Sequence, residues 1–211
     1  MPSKSIGKPT LAYELKLARL GATIIAGVDE AGRGSLAGPV AAAAVILPDD
    51  PLPWFEQVND SKLLTSRIRE KLYKQIISDA HVGLAMVASN VIDQIGIIKA
   101  TQKAMLQAIE IVNLKLDGLL IDAVDLPEAH VEHKLSIIRG DQLSISIASA
   151  SIIAKVARDT LMKDLDDQFP GYGWARNKGY GTEGHQKALS KLGPSSLHRQ
   201  TFITKFDLSL T

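Results

Sequence analysis

Residues 23–47 read TIIAGVDEAGRGSLAGPVAAAAVIL and hold two apolar runs separated by acids and a glycine-rich turn. The first run, 23–29, is apolar and β-branched, which predicts a strand ending near Asp29 and Glu30. The second run, 40–47, is rich in alanine, which favours a helix. Its short length, between a Gly-Pro pair and a further proline, instead favours a buried strand. Two carboxylates are thus expected where a strand meets a turn with few side chains.

The remaining pattern predicts strands alternating with helices. Two of the helices begin after residues that suit the N-cap position, Thr65 and Thr182. The order of elements suggests an α/β or α+β sheet covered by helices. Further strands are predicted over 81–89, 118–124 and 134–140, and helices over 11–20, 65–78, 97–116, 143–165 and 182–193.

Length and composition are those of a globular protein of about one domain. The chain has 211 residues, of which 45% are hydrophobic and 22% charged. It has no cysteine, which excludes disulfides and thiolate zinc sites. The longest apolar run, 40–47, is far shorter than the roughly 20 residues that span a bilayer. The N-terminus has no apolar signal core, so we expect a cytoplasmic protein without a membrane partner.

Charge is distributed unevenly along the chain. The central residues 22–169 hold fourteen basic and twenty acidic residues. Residues 1–21 hold four bases and one acid, and residues 170–211 hold six bases and two acids. An acidic centre could bind metal ions while the basic ends contact a polyanion. Ordinary surface variation explains the charge pattern equally well.

Acidic residues are associated with three predicted strands. Asp29 ends the first strand, Asp122 lies in the fourth, and Asp141 follows the fifth. If these strand ends are neighbours, the three side chains and Glu30 form a cluster that protons or cations must neutralise. Oxygen ligands favour Mg²⁺ or Mn²⁺, and two such ions can catalyse phosphodiester hydrolysis. For any single Asp, a turn or helix cap is an equally good interpretation.

The turn Gly32-Arg33-Gly34 has three interpretations. It can be a tight turn in which glycine supplies a positive φ. It can let the backbone approach a ligand closely. It also begins a match to the dinucleotide fingerprint, extending to Ala37, which would suit a dinucleotide-dependent oxidoreductase. Pro39 opposes that interpretation, because the fingerprint requires a helix after the turn.

Other candidate contacts to nucleic acid lie in three segments. Asn59, Ser61 and Lys62 are on a polar loop before a helix, and such residues suit phosphate contacts. Lys155 lies on a long helix, and Tyr180 lies between two glycines, where an exposed ring could stack on a sugar or base. A solvated loop, a solvated lysine and a packed tyrosine are the commoner interpretations of each segment taken singly.

Together these segments resemble the ribonuclease HII family, the bacterial type 2 ribonucleases H. The resemblance extends from about residue 24 to 202, nearly the whole chain. The sequence departs from the family's motifs only in small ways, and the resemblance implies no role for Glu183 or His185. The matching segments are DEAGRG (29–34), NDSK (59–62), LLID (119–122), RGDQLSISIASASIIAKVARD (139–159), NKGYGT (177–182) and LGPSSLHRQTF (192–202).

The resemblance implies an α/β fold: an RNase H-like mixed sheet flanked by helices, with a small helical C-terminal extension. We expect an N-terminal helical extension over 1–21, a catalytic domain over 22–168, and a C-terminal segment over 169–211 that contacts substrate. The implied activity cuts the RNA strand of RNA–DNA hybrids and nicks 5′ of single ribonucleotides in duplex DNA. It uses two ions, Mg²⁺ or Mn²⁺, and leaves a 3′-hydroxyl and a 5′-phosphate. We expect a monomer.

The resemblance also implies roles for individual residues. Four acids would bind the metal ions and catalyse the reaction, the glycine turn would sense the ribose, and a tyrosine would sense the RNA–DNA junction. A non-catalytic nucleic-acid binder remains the alternative to an enzyme. The implied catalytic and metal-binding residues are Asp29, Glu30, Asp122 and Asp141. The implied substrate-binding residues are Gly32, Arg33, Gly34, Asn59, Ser61, Lys62, Lys155 and Tyr180.

Overall fold

A five-stranded mixed sheet forms the centre of the protein. The computed structural model describes residues 7–204. The strand order is β3-β2-β1-β4-β5. β1 pairs antiparallel with β2 and parallel with β4. The expected mixed sheet is therefore confirmed. The strands are β1 (Ile25–Ala31), β2 (Val40–Ile46), β3 (His81–Val87), β4 (Gly118–Asp122) and β5 (His133–Ile137).

Helices cover both faces of this sheet. The predicted helix over 97–116 ends earlier, at Val112, because Asn113 takes the left-handed conformation. The short helices α3, α6 and α8 were not predicted, since each has too few turns for a clear periodicity. The helices are α1 (Ala12–Arg19), α2 (Ser66–Asp79), α3 (Ser89–Ile95), α4 (Ile97–Val112), α5 (Ile145–Gln168), α6 (Trp174–Asn177), α7 (Glu183–Leu192) and α8 (Gln200–Ile203).

The alanine-rich segment forms β2, as predicted, and all seven of its residues are buried. Its side chains alternate between two hydrophobic clusters. Ala42 and Ala44 pack with residues of α4, whereas Ala43 and Val45 pack with residues of α5. Burial on both faces therefore outweighs the helix propensity of alanine.

Helix α1 packs against the sheet and α5. Leu17 lies in a buried cluster with Leu120 and Ile147. The buried carboxylate of Glu14 accepts hydrogen bonds from the Ser144 hydroxyl at 2.6 Å and from the Ser146 amide at 2.9 Å. Helix α1 therefore helps to fix the start of α5. Residues 1–6 of the predicted N-terminal extension lie outside the described part of the chain.

The C-terminal helices pack on the end of α5. Leu36, Met162, Trp174 and Leu189 belong to one buried cluster there. Residues 205–211 of the predicted C-terminal segment lie outside the described residues, and the division of the chain at 21/22 and 168/169 stays a prediction. Within residues 7–204, no helix has both the length and the apolar character needed to cross a bilayer.

Candidate active site

Strands β1 and β4 place two of the predicted acids side by side. Val28 of β1 is in register with Ile121 of the parallel strand β4, so Asp29 and Asp122 are the next residues on the two strands. Glu30 follows Asp29 and points to the opposite face of the sheet. All three nevertheless line one cleft of about 440 Å³, because this cleft opens at the end of the strands.

The fourth acid, Asp141, lies on a 3₁₀ turn after β5 and is almost completely buried. The same turn holds Asp122, since the Gly140 amide donates a hydrogen bond of 2.6 Å to an Asp122 carboxylate oxygen. The Lys62 ammonium lies 3.5 Å from a carboxylate oxygen of Asp141. Asp141 itself is not among the residues that line the cleft, but the turn places it beside Lys62, which does line it.

The four acids share an electrostatic environment that opposes their ionisation. Burial raises the pKa of Asp29 well above its usual range, and the charges of Glu30 and Asp122 raise it further. Burial is also the main cause of the raised pKa of Glu30, Asp122 and Asp141. A divalent cation would remove this repulsion, because it favours the ionised form of every carboxylate around it.

The acids converge without forming a ready-made cage. Among residues 7–204, no three acidic or histidine side chains stand at metal-binding separation. Glu30 has another partner, since its Oε1 accepts a hydrogen bond of 3.2 Å from the Arg33 guanidinium. Its Oε2 is buried and has no partner. This free oxygen and the all-carboxylate donor set fit a hard divalent cation, provided that the side chains move closer together.

The two glycines of the turn differ in what surrounds them. Gly32 is buried, with φ +90°, and a Cβ there would lie 2.0 Å from Nε of Arg158. Gly34 is exposed, and a Cβ there would meet no atom within 4 Å. Packing therefore explains glycine at position 32. Position 34 has no such explanation within the protein, which favours close approach of a ligand there.

Tyr180, the residue predicted to sense the junction, is among the residues that line the cleft. It forms a β-bridge with Ser35, which joins its loop to the glycine turn. Lys155 also lines the cleft, and its Nζ lies 5.3 Å from the centre of the Tyr180 ring. That ammonium is 2.8 Å from a carboxylate oxygen of Asp159. Lys155 is therefore held in the cleft and does not extend freely into water.

The polar loop before α2 contributes two of its three predicted residues to the cleft, Ser61 and Lys62. The hydroxyls of Ser61 and Ser151 are 3.0 Å apart. Asn59 is not among the residues that line the cleft, and its side-chain oxygen accepts a hydrogen bond from the Asp60 amide. Its contribution is to the shape of the loop.

Sequence reasoning did not select two further residues. Ser151 lines the cleft, and its hydroxyl counteracts the rise in the pKa of Asp29. Asp60 is buried, and its charge is the second cause, after burial, of the raised pKa of Asp141. Both lie inside the motifs quoted above, NDSK and the block 139–159, but neither follows a strand. The acids were predicted from their positions at strand ends, and neither Ser151 nor Asp60 has such a position.

His185, to which no role was assigned, lies behind the cleft. It is buried, and its Nδ1 is 3.0 Å from the Tyr180 carbonyl oxygen. Its Nε2 is 3.1 Å from Nε2 of His198, whose Nδ1 accepts a hydrogen bond from the Ser195 amide. These contacts assign one tautomer to each neutral ring: His198 donates to His185, and His185 donates to Tyr180. Glu183 is exposed and pairs with Lys187.

The oxidoreductase interpretation of the glycine turn is wrong. The dinucleotide fingerprint places a helix N-terminus directly after the turn. Here the turn is followed by strand β2, which starts at Val40 and pairs with β1. Asp29 and Glu30 also lie in the same cleft as the turn, where they would repel a pyrophosphate.

Comparison with known proteins identifies the family. A model of the family described as ribonuclease HII matches residues 26–205. The ribonuclease HII of Caldanaerobacter subterraneus subsp. tengcongensis is 48% identical over 194 residues, which cover 92% of this chain and 79% of that protein. That of Chloroflexus aurantiacus is 48% identical over 200 residues, covering 92% and 93%.

Solved structures show the same fold at lower identity. A chain of the PCNA:RNase HII complex from Archaeoglobus fulgidus superimposes with a TM-score of 0.77 at 24% identity, covering 89% of this chain and 98% of that chain. Bst-RNase HIII in complex with Mn²⁺ gives a TM-score of 0.64 at 17% identity, covering 89% and 70%. The RNase H-like fold is thereby confirmed. With the family match and the curated identities, the chain belongs to the ribonuclease HII family.

Proposed function

We propose that the cleft between β1, β4 and the glycine turn cuts phosphodiester bonds on the 5′ side of ribonucleotides, leaving a 3′-hydroxyl and a 5′-phosphate. Family membership makes the chain an endoribonuclease that acts on RNA–DNA hybrids. Nicking at single ribonucleotides in duplex DNA and the roles of individual residues are our proposal. The observation that carries it is one cleft lined by Asp29, Glu30, Asp122, the turn and Tyr180.

The acids Asp29, Glu30, Asp122 and Asp141 would hold two divalent cations, Mg²⁺ or Mn²⁺. Bound cations of this kind activate a water molecule and stabilise the leaving oxygen. Asp29 is central, because the charges of both Glu30 and Asp122 act on it. The Mn²⁺ complex of Bst-RNase HIII supports the choice of ion.

Glu30 and Arg33 have to rearrange when cations bind. To hold a cation, Glu30 would give up its contact with the Arg33 guanidinium, and its unpartnered Oε2 would be available as a ligand. Arg33, whose side chain is 45% exposed, is then free to contact a phosphate oxygen. The pair thus keeps one buried carboxylate partly neutralised until substrate and cations arrive.

Recognition of the ribonucleotide falls to backbone groups. The 2′-hydroxyl distinguishes RNA from DNA because it both donates and accepts hydrogen bonds. The backbone N–H groups of the exposed part of the turn, Arg33 and Gly34, would bind it, since the absence of a side chain at Gly34 lets a ligand come that close. Tyr180 would stack on the sugar of the following deoxynucleotide, where a 2′-hydroxyl would weaken the contact.

Phosphate contacts would come from the residues around the acids. Ser61, Lys62 and Lys155 line the cleft and provide one hydroxyl and two ammonium groups. Asn59 would act indirectly, because its side chain stabilises the conformation of the loop that carries Ser61 and Lys62. The basic C-terminal segment would contact the duplex backbone, so that affinity falls as salt rises. A monomeric state and a cytoplasmic location complete the proposal.

The decisive experiment uses a labelled DNA duplex with one ribonucleotide and a matched all-DNA duplex, each with and without Mg²⁺. We expect one nick, 5′ of the ribonucleotide, only when Mg²⁺ is present. Asp29→Asn serves as the inactive control. Tight binding without nicking at millimolar Mg²⁺ and Mn²⁺ would select a non-catalytic binder. Nicking of the all-DNA duplex would exclude ribose recognition.

A further inference from the structure

Two arginine side chains are completely buried behind the glycine turn. Arg158 on α5 and Arg199 before α8 both have a relative exposure of 0%. Within residues 7–204, neither forms a salt bridge with a carboxylate. Burying an unpaired charge is costly, and replacing it with apolar side chains is often neutral or stabilising. Each guanidinium must therefore find hydrogen-bond acceptors other than carboxylates to be tolerated there.

Both guanidinium groups donate to backbone carbonyl oxygens instead. Arg199 donates to Gly32 at 2.8 Å, to Arg33 at 2.7 Å and to Gly38 at 3.0 Å. Arg158 donates to Pro39 at 2.8 Å, to Ala37 at 3.1 Å and to Lys178 at 2.9 Å. Only Arg199 therefore binds carbonyls of the turn itself, whereas Arg158 binds the segment that follows the turn and the loop that precedes Tyr180.

The carbonyls that Arg199 binds belong to two particular peptide groups. The Gly32 carbonyl shares a peptide with the Arg33 N–H, and the Arg33 carbonyl shares one with the Gly34 N–H. Neither N–H donates a hydrogen bond to the part of the chain that the structure describes. A charged donor on the carbonyl polarises the peptide and makes its N–H a stronger donor. Arg199 thus strengthens two free donors at the exposed end of the turn.

Arg199 remains charged in this setting. Burial, and next the nearby charge of Arg158, lower the pKa of Arg199 to about 9, which leaves it protonated at neutral pH. Arg158 also fixes the turn sterically, since its Nε occupies the space of a Cβ at Gly32. The Arg158 guanidinium therefore packs against the turn, and the Arg199 guanidinium binds the turn through hydrogen bonds.

We infer that Arg199 is a positioning residue for ribonucleotide recognition: its guanidinium holds and polarises the two peptide groups whose N–H groups meet the ribose 2′-hydroxyl. This inference rests on the proposed function, in which the turn reads the 2′-hydroxyl. Arg199 itself does not touch substrate. It acts from behind, through the peptide groups of Gly32-Arg33 and Arg33-Gly34.

The test compares selectivity in Arg199→Lys, which keeps the charge but cannot reach three carbonyls with one amine. Cleavage of the single-ribonucleotide duplex gives kcat and KM, and the all-DNA duplex, used as a competitor, gives Ki. We expect kcat/KM to fall about tenfold or more, as charge-assisted hydrogen bonds imply. The Ki for all-DNA duplex should change less than about twofold, because the phosphate contacts are untouched.

Three further variants make the result specific. Arg158→Lys removes an equally buried guanidinium whose acceptors lie outside the turn, and should reduce selectivity less than Arg199→Lys. Arg19→Lys, at an exposed position on α1, should change nothing. Arg199→Gln keeps donors without the charge and should lose the same selectivity as Arg199→Lys.

Each other outcome has a definite meaning. Equal loss for both duplexes, unchanged selectivity, or failure of both Arg199 variants to unfold cooperatively would overturn the inference. A wild-type protein that does not nick at the ribonucleotide would instead overturn the proposed function. The two failures are distinguishable, because the first appears only in variants of a protein that is itself selective.

Discussion

The substitution Gly34→Ala separates the two reasons for glycine in the turn. Nothing lies within 4 Å of the Cβ that it would add, and the φ of Gly34 is outside the strained positive range. Replacing glycine at such a position usually stabilises a protein by about 0.4–1 kcal/mol, because the unfolded chain loses freedom. We therefore expect an equal or slightly higher unfolding free energy.

Activity should change in the opposite direction. The added methyl would stand where a ligand must come within about 3 Å of the backbone to form a hydrogen bond. Losing such contacts costs about 1–3 kcal/mol, so kcat/KM for the single-ribonucleotide duplex should fall about tenfold or more. Denaturant unfolding and the nicking assay on the same preparation measure the two effects separately.

Gly32→Ala is the matched control. Its Cβ would lie 2.0 Å from Nε of Arg158 and its φ is +90°, so we expect a loss of about 1–3 kcal/mol of stability together with activity. If Gly34→Ala left cleavage unchanged, or destabilised the protein as much as Gly32→Ala, the assignment of Gly34 to close ligand approach would be refuted.

Three further substitutions test the acids, the histidine pair and the junction contact. Asp29→Asn should abolish Mg²⁺-dependent nicking yet raise the unfolding free energy of the metal-free protein at neutral pH. Burial raises the pKa of Asp29, so its ionisation opposes folding as pH rises, and the gain should vanish at acid pH, where Asp29 is protonated in both states. Denaturant unfolding across pH measures this, and an unchanged or lower unfolding free energy for the variant at neutral pH would contradict it. Burial, and next the charge of His185, lower the pKa of His198 to about 4. The free energy of unfolding should therefore fall as pH drops from 6.5 towards 4, because the unfolded chain takes up this proton first. His198→Gln should flatten that part of the stability profile, and an unchanged slope would contradict the neutral pair. Tyr180→Ala should slow cleavage at a single ribonucleotide more than cleavage of a long hybrid; equal losses on both substrates would remove junction sensing.

The main elements could be predicted from the sequence because their signals are local. A β-branched run predicted β1, and the side-chain oxygens of Thr65 and Thr182 cap α2 and α7 as expected. The alanine run required a non-local argument: its propensity favours a helix, and only burial on both faces explains the strand. Short helices such as α6 carry too little periodicity to be recognised.

The acids of the site could be selected because they accompany predicted strands, and their roles came from the family resemblance. Their present geometry could not be predicted. The pairing of Glu30 with Arg33, and the lack of three acids at metal-binding separation among residues 7–204, depend on side-chain partners that sequence spacing does not reveal. Asp60 was passed over because its relation to Asp141 arises from a contact between distant loops.

The sequence by itself determined the strands, the capped helices and the acids that accompany the strands, since these depend on residues a few positions apart. Only the tertiary structure decided which glycine is required by packing and which has open space beside it, because both stand in the same tripeptide. It alone also connected Arg199 to the carbonyl of Gly32, 167 positions away. Such a contact depends on how sheet and helices pack, which no local pattern encodes.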